Sequence, residues 1–449
     1  MLKPFLRVLA PNQALELVKM FGPTEIEQIS TAAGLFRVIA EPIKATEDMP
    51  GFDRSTMDGF AVRSRDTFGA SEGTPALFQI VDEVVMGEIP DLKLKKGETV
   101  RIWTGGALPS EADAVVMIEH TEELGGNTLE ALKAVAPLEN VVRRGEDFKR
   151  GETLLRAGHR LRPQDLGLFA AMGRQTATVY RKPNVAVISS GDEIIPMEQE
   201  PLPGCIRDVN RYTITSLIQE AHANPVWVGI APDKLDALSS LIERGLNTAD
   251  LVLISGGSSM GSRDHVIEAI QSYKDSEILL HGVSVSPGKP LILGRVGRKP
   301  IAGLPGHPVS AMICFEQFIV PLIRRLEGED VIRPFLRPSR RALLSRNIPS
   351  KEGRMDFVRV RLLRRNDGLV AVPVPAKSGM ISSMVRADGV ITIEPDCEGL
   401  YKGQEVSVSL FARWGKEDSE KEHLLGHEDA GRSAGDLLES AQQEKLSRV

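Results

Sequence analysis

The chain has little sulfur, few aromatic rings and no long apolar run. Its three cysteines, Cys205, Cys314 and Cys397, stand far apart and without CxxC spacing in 449 residues. That argues against a disulfide framework or a structural zinc site, and a reducing cytoplasm fits best. Aromatic residues make up only 5% of the chain, and 55 lysines and arginines are outnumbered by 61 aspartates and glutamates, giving a net charge of -6. Few base-stacking platforms and no large basic surface are expected, so nucleic acid is not an expected partner. No apolar run approaches the roughly 18 residues of a membrane span. The opening MLKPFLRVLAPNQALELV is broken by Pro11 and flows into an amphipathic pattern, unlike the apolar core of a secretory signal. What remains is an ordinary globular composition, 42% hydrophobic and 26% charged, in a chain long enough for several cores.

Along the chain the texture changes several times. From Asn12 to Ala45 apolar residues recur at roughly helical spacing, which predicts two or three helices. After Pro50, short apolar runs such as LFQIVDEVV, ETVRIWTG and DAVVMIEH, punctuated by glycine and proline, read as a β-rich unit ending near Glu139. A turn-rich stretch with the short helix PQDLGLFAAMG and the strand QTATVYR leads to Pro183. From Asn184, strands (NVAVIS, PVWVGI, DLVLIS) alternate with helices (YTITSLIQEAHA, DKLDALSSLIERGL, HVIEAIQSY), the pattern of a parallel sheet covered on both faces. Beyond Pro334 come FVRVRLLRR, LVAVPVP, GVITIEP and QEVSVSLF, short strands of a compact barrel or sandwich. From Gly415 the chain is polar and charged, and reads as a disordered or loosely helical tail.

Ligands of open α/β sheets bind outside the carboxyl ends of the strands. Four glycine-bearing corners are placed there: Ser189-Ser190-Gly191-Asp192-Glu193, SGGSSMGSRD from Ser255 to Asp264, Ser286-Pro287-Gly288-Lys289-Pro290, and Gly303-Leu304-Pro305-Gly306-His307-Pro308. Glycine lets backbone N–H groups approach an anion, and the following helix adds its dipole, so a phosphate-bearing ligand accounts for the set. Each corner alone is equally a tight turn, and GGSSMG lacks the order of a P-loop or a dinucleotide fingerprint. Glu193, Asp233 and Asp264 also read as helix-start carboxylates. In the β-rich unit, Phe52 to Arg63 (FDRSTMDGFAVR), the corner Trp103-Thr104-Gly105-Gly106 and Arg144-Gly145-Glu146-Asp147 add further polar turns.

Taken together, FDRSTMDGFAVR, WTGGALPSEADAVVMIEH, RRGEDFKRGE, SSGDE, RDVNR, SGGSSMG, SPGKP and GLPGHPVSA resemble, in order and spacing, the molybdopterin molybdenumtransferase family of the MoeA and gephyrin E-domain type. The resemblance runs over about residues 8 to 412. It implies a multidomain α/β and β protein. A discontinuous linking segment (1–46 and 144–181) would join a β-rich lid (47–143) to a molybdopterin-binding α/β domain with a parallel-rich sheet (182–330). A C-terminal β-barrel (331–413) and a polar tail (414–449) would follow. It also implies insertion of molybdate, or tungstate, into adenylylated molybdopterin, with Mg²⁺-assisted cleavage of the adenylate and release of AMP. The expected assembly is a cytoplasmic homodimer whose site lies between the α/β domain of one protomer and the lid of the other. The upstream adenylyltransferase and molybdoenzyme or tungstoenzyme apoproteins are the implied partners.

Carried over by position, Asp58, Thr104, Asp147, Glu193 and Asp264 are the implied catalytic residues, with Glu193 and Asp264 holding the metal. Substrate binding falls to Ser190 and Gly191, to Asp208 and Asn210 of RDVNR, and to Asp233. In the second corner it falls to Gly256, Gly257, Ser258 and Arg263, and in the last two to Gly288, Lys289, Pro305, Gly306, His307 and Ser310. Three positions depart from the family pattern. Ser286 replaces the first lysine of Lys-Pro-Gly-Lys-Pro, Ser262-Arg263-Asp264 replaces Asp-Tyr-Asp, and His307 replaces the asparagine of GNPVSA. Arg263 is a candidate to supply the charge that Ser286 lacks. Two other readings stay open: an adenylyltransferase of molybdopterin, and a non-catalytic molybdopterin-binding or scaffold protein.

Overall fold

A computed structural model describes residues 8–256, 262–330, 337–366 and 368–411, with 262–264 described by their backbone only. The expected tail lies outside the described residues. The chain forms two compact units, Met1–Ile26 with Tyr180–Val449, and Glu27–Val179.

The first unit holds the alternating segment. Its elements are β1 (Asn184–Ser190), α1 (Val209–Glu220), β2 (Asn224–Ala231), α2 (Leu235–Thr248), β3 (Leu251–Gly256), α3 (Ser262–Gln271), β4 (Ser276–His281), β5 (Ile292–Val296), β6 (Lys299–Leu304) and α4 (Pro308–Cys314). The strands form one sheet in the order β2-β1-β3-β6-β5-β4. β2, β1, β3 and β6 are mutually parallel, and β5 runs antiparallel to both neighbours. The apolar runs of β1 and β3 are continuous because both their faces are covered. Val185, Val187, Leu251 and Leu253 pack with Ile214 and Ile218 of α1 on one face. Ala186, Ile188, Val252 and Ile254 pack with Leu238 and Ile242 of α2 and with Val266 and Ile270 of α3 on the other.

The same unit continues into β7 (Ser339–Leu344), β8 (Met355–Arg365), β9 (Gly368–Pro373), β10 (Gly389–Ile393) and β11 (Glu405–Leu410). Their pairings run β8-β9-β7-β11-β10 and back to β8, closing a five-stranded barrel. A two-residue strand, Val285–Ser286, pairs with Met355 and Asp356 of β8 and so ties the third corner to the barrel.

The second unit carries a six-stranded sheet that orders Ala114–Met117, Gly59–Val62, Glu98–Ile102, Ala76–Glu83, Thr128–Ala131 and Thr121–Gly125. Gly59 has to be glycine, since a Cβ there would lie 2.0 Å from the Val116 carbonyl oxygen. A separate core of Ile39, Ile43, Phe148, Leu161 and Phe169 gathers around the short helix Pro163–Ala171.

The helices expected over Asn12 to Ala45 are largely absent. One short helix, Pro11–Glu16, and a 3-10 turn, Leu17–Met20, give way at Gly22-Pro23 to a strand, Ile26–Ser30, which pairs with Thr176–Tyr180. Proline ends the helical run, and a strand almost 150 residues further on supplies the backbone partners that periodicity within the segment cannot reveal. No helix among the described residues is long and apolar enough to cross a membrane.

Candidate active site

The corners after β1, β3 and β6 lie at the carboxyl edge of the parallel strands. The Ser286–Pro290 corner reaches the same edge differently: it leads into β5, the antiparallel strand, rather than following a parallel one.

At the end of β1 the buried Ser190 donates its hydroxyl to Asp233 Oδ1 at 3.3 Å, and the Asp233 N–H donates to Asp192 Oδ1 at 3.0 Å. Asp233 therefore lies just before α2 but is tied sideways to the first corner. Gly191 has φ +149°, and a Cβ there would come within 2.7 Å of Glu193 Oε2. Glycine thus lets the Glu193 carboxylate fold back over the corner. Glu193 is exposed and starts no helix. Ile194–Ile195 follows it and pairs with Ile206–Arg207, so its helix-start reading is set aside.

The next stretch back to the sheet brings RDVNR to this edge. Asp208 caps α1, accepting the Arg211 N–H on Oδ1 at 2.9 Å. Asn210 Nδ2 donates both to Ser255 Oγ at 2.6 Å and to the Gly306 carbonyl at 2.8 Å, joining α1, the end of β3 and the fourth corner. Asp208 Oδ2, Asn210 Oδ1 and the hydroxyl of Ser189 are buried and have no hydrogen-bond partner among the described residues. Leaving such an atom unsatisfied costs about 1–3 kcal/mol, so this edge keeps unused accepting capacity for polar ligand groups.

Gly256, paired in register with Ser190, has φ +123°, and a Cβ there would lie 2.0 Å from the Ser190 carbonyl oxygen. The two strand ends meet so closely that only glycine fits. Gly257 and Ser258 lie outside the described residues. Arg263 and Asp264 fall in the first turn of α3, but their side chains are not described, and with them the suggested pairing of Arg263 with Ser286.

At the third corner Gly288 has φ +128°, and the buried Cys314 thiol of α4 donates to its carbonyl at 3.2 Å. Burial raises the Cys314 thiol pKa far above its usual range, so it stays a neutral donor. Lys289 is exposed beside it. In the fourth corner Pro305 and, one turn into α4, Ser310 are buried, whereas His307 is exposed with Nδ1 2.9 Å from Ser378 Oγ.

In the second unit Thr104 donates its backbone N–H and its hydroxyl to Asp58 Oδ1, both at 2.8 Å. These bonds, the backbone one foremost, hold the exposed Asp58 carboxyl below the usual carboxylate range. Asp147 lies on a separate exposed turn, its N–H bonded to the Met49 carbonyl. No hydrogen bond or ion pair joins it to the Asp58–Thr104 pair among the described residues. No group of three or more His, Cys, Asp or Glu side chains that could hold a metal gathers among the described residues.

Reading the sequence did not assign roles to Ser189, Ser255 or Ser378. The first two carry a signal in hindsight, a serine closing each apolar strand run at the ligand edge. Ser378 carries none, because its place depends on how the barrel is set beside α4.

Comparison with known proteins follows the same division. Residues 9–173 match the family described as MoeA N-terminal region (domain I and II), residues 186–325 the probable molybdopterin binding domain, and residues 341–411 the MoeA C-terminal region (domain IV). A molybdopterin molybdenumtransferase of Bacillus subtilis is 31% identical over 86% of this chain and 90% of its own length. One of Haemophilus influenzae is 30% identical over 90% of this chain and 96% of its own. The solved structure of a molybdopterin biosynthesis MoeA protein from Pyrococcus horikoshii OT3 superposes with a TM-score of 0.77 at 29% identity, covering 90% of this chain and all of that one. With both units and the barrel matched in order, the chain belongs to the molybdopterin molybdenumtransferase family, enzymes of molybdenum cofactor biosynthesis.

Proposed function

We propose that this enzyme inserts molybdate into adenylylated molybdopterin and releases AMP. The observation that carries the reading is the gathering of corners on one sheet edge. Ser190, Asp208, Asn210, Gly256 and Gly306 meet there with unsatisfied buried acceptors and close backbone approach. A ligand with hydrogen-bond donors at one end and phosphates at the other suits such an edge, and a pterin joined through two phosphates to adenosine is one.

The carboxylates of Asp192, Glu193 and Asp233 are hard oxygen donors of the kind Mg²⁺ takes. Such donors suit an ion that completes its shell with water and phosphate oxygens. Glu193 and Asp264 would hold it. When bound, Mg²⁺ supplies charge neutralisation at the phosphoanhydride oxygens. The chain's own work is to bind and orient. The glycine corners would give the phosphates close backbone approach, Lys289 would offer a cation to an anionic group, and Asp208 and Asn210 would accept from the pterin. Asp58, held ionised by Thr104, and Asp147 would meet the substrate from the lid of a second protomer in a homodimer.

The assay that tests the reading supplies purified enzyme with adenylylated molybdopterin and either molybdate or tungstate, and in parallel with unmodified molybdopterin and ATP. AMP release in the first arm supports the transferase. Adenylylation in the second arm alone makes the chain an adenylyltransferase.

A further inference from the structure

Resting on the reading above, we propose that His307 is a positioning residue that latches the barrel segment 376–380 onto the fourth corner and so holds the substrate edge in register. The corner is fixed from within by Asn210, whose amide grips the Gly306 carbonyl while its Oδ1 meets no partner among the described residues. The next residue, His307, turns outward and places Nδ1 2.9 Å from Ser378 Oγ. The Ser378 carbonyl in turn accepts the Val309 N–H at 3.2 Å. Gly379 lies against the ring edge: a Cβ there would come within 3.7 Å of His307 Cδ2 and 3.9 Å of Nε2. The imidazole, though exposed, therefore lies along the segment.

The far side of the same segment is anchored in the barrel. Arg359 of β8, buried, donates Nη2 to the Ala376 carbonyl at 2.7 Å and Nη1 to Ser383 Oγ at 2.9 Å, and Ser383 donates to the Met380 carbonyl at 2.6 Å. A segment held rigidly by the barrel and joined to the corner by the imidazole, beside the backbone bond from Val309, is a strut. Its far end reaches the ligand edge through His307, Gly306 and Asn210. A single exposed hydrogen bond is worth about 1 kcal/mol, or roughly five-fold in an equilibrium constant, enough to change substrate affinity without unfolding anything.

The test compares His307→Ala, His307→Asn and His307→Gln in the full chain, by steady-state turnover of adenylylated molybdopterin and by amide hydrogen exchange over residues 374–384 and at Val309. Asparagine carries a polar atom where Nδ1 stands, and glutamine carries one where Nε2 stands. His307→Ala should raise KM about five-fold with kcat changed less than about two-fold, and should speed exchange in the segment. His307→Asn should restore both readouts and His307→Gln neither. An alanine variant matching the native enzyme in both readouts overturns the latch, as does glutamine rescuing as well as asparagine. Native enzyme inactive on adenylylated molybdopterin would defeat the functional reading, and the exchange comparison would then decide the latch by itself.

Discussion

Thr104 bonds Asp58 twice on the same oxygen, through its backbone and through its hydroxyl, each at 2.8 Å. One carboxylate oxygen is thereby committed to the turn that carries Thr104. Thr104→Val removes the hydroxyl and keeps the N–H, so the fold should persist. AMP release should fall about ten-fold, the scale of losing one bond to a charged group. Asp58 is depressed in the native enzyme, so losing a bond to its ionised form moves its pKa up, and the acid limb of the pH–rate profile should shift to higher pH. An unmoved limb with full activity would show the pair to be only a turn.

Gly256→Ala should be among the most damaging single substitutions in the α/β sheet. Its Cβ would meet the Ser190 carbonyl at 2.0 Å, at a φ of +123° that side-chain-bearing residues rarely adopt. A loss of at least about 2 kcal/mol in urea unfolding is expected, with substrate binding lost even where the protein still folds. A stable variant with native affinity would mean that β1 and β3 do not need this close approach.

Asp264→Asn should separate binding from cleavage. The backbone donors of the glycine corners remain, so affinity for adenylylated molybdopterin by calorimetry should change little. Removing the charge proposed to hold the metal, which would act chiefly in the transition state, should slow AMP release on the order of 100-fold. Full AMP release would leave Asp264 a helix-start residue.

A site completed by two protomers predicts complementation. Asp58→Asn and Glu193→Gln should each be inactive alone, and mixed subunits should regain part of the native rate in heterodimers. No recovery despite proven subunit exchange would place the whole site within one protomer.

Stability at low pH should follow Asp165. Burial opposes its ionisation, but side-chain bonds from Arg162 and His159 and the Arg162 N–H outweigh it, and hold its pKa at about 2 against an ordinary 3.8. A carboxylate depressed in the folded state contributes fully above the unfolded value, and that contribution fades as pH falls from about 4 to about 2. It is worth on the order of 2 kcal/mol. Urea midpoints of native protein and Asp165→Asn should therefore converge over that window. A gap that stays constant down to pH 2 would refute the assignment.

The parallel sheet was legible because NVAVIS and DLVLIS are apolar without alternation, and strands covered on both faces need that composition. The barrel was legible from its turns. The strand Ile26–Ser30 was not, because its partner, Thr176–Tyr180, lies far along the chain. Of the site, the glycine corners could be found because positive φ and close approach demand glycine at Gly256 and Gly288. Ser255 and Ser378 could not, since what each touches, Asn210 and His307, is set by tertiary packing. Asp208 appeared as a ligand candidate and is also a helix cap, one oxygen for each task.

The most direct measurement is the stoichiometry of a single reaction. Purified enzyme is given adenylylated molybdopterin and Mg²⁺, with and without molybdate, and both AMP and molybdenum bound to the pterin are quantified on the same sample. One AMP released for each molybdenum inserted, with both lost when molybdate is omitted or Mg²⁺ chelated, is the predicted result. AMP released without molybdate and with no metal-loaded pterin formed, or no consumption of the adenylylated substrate at all, would contradict it.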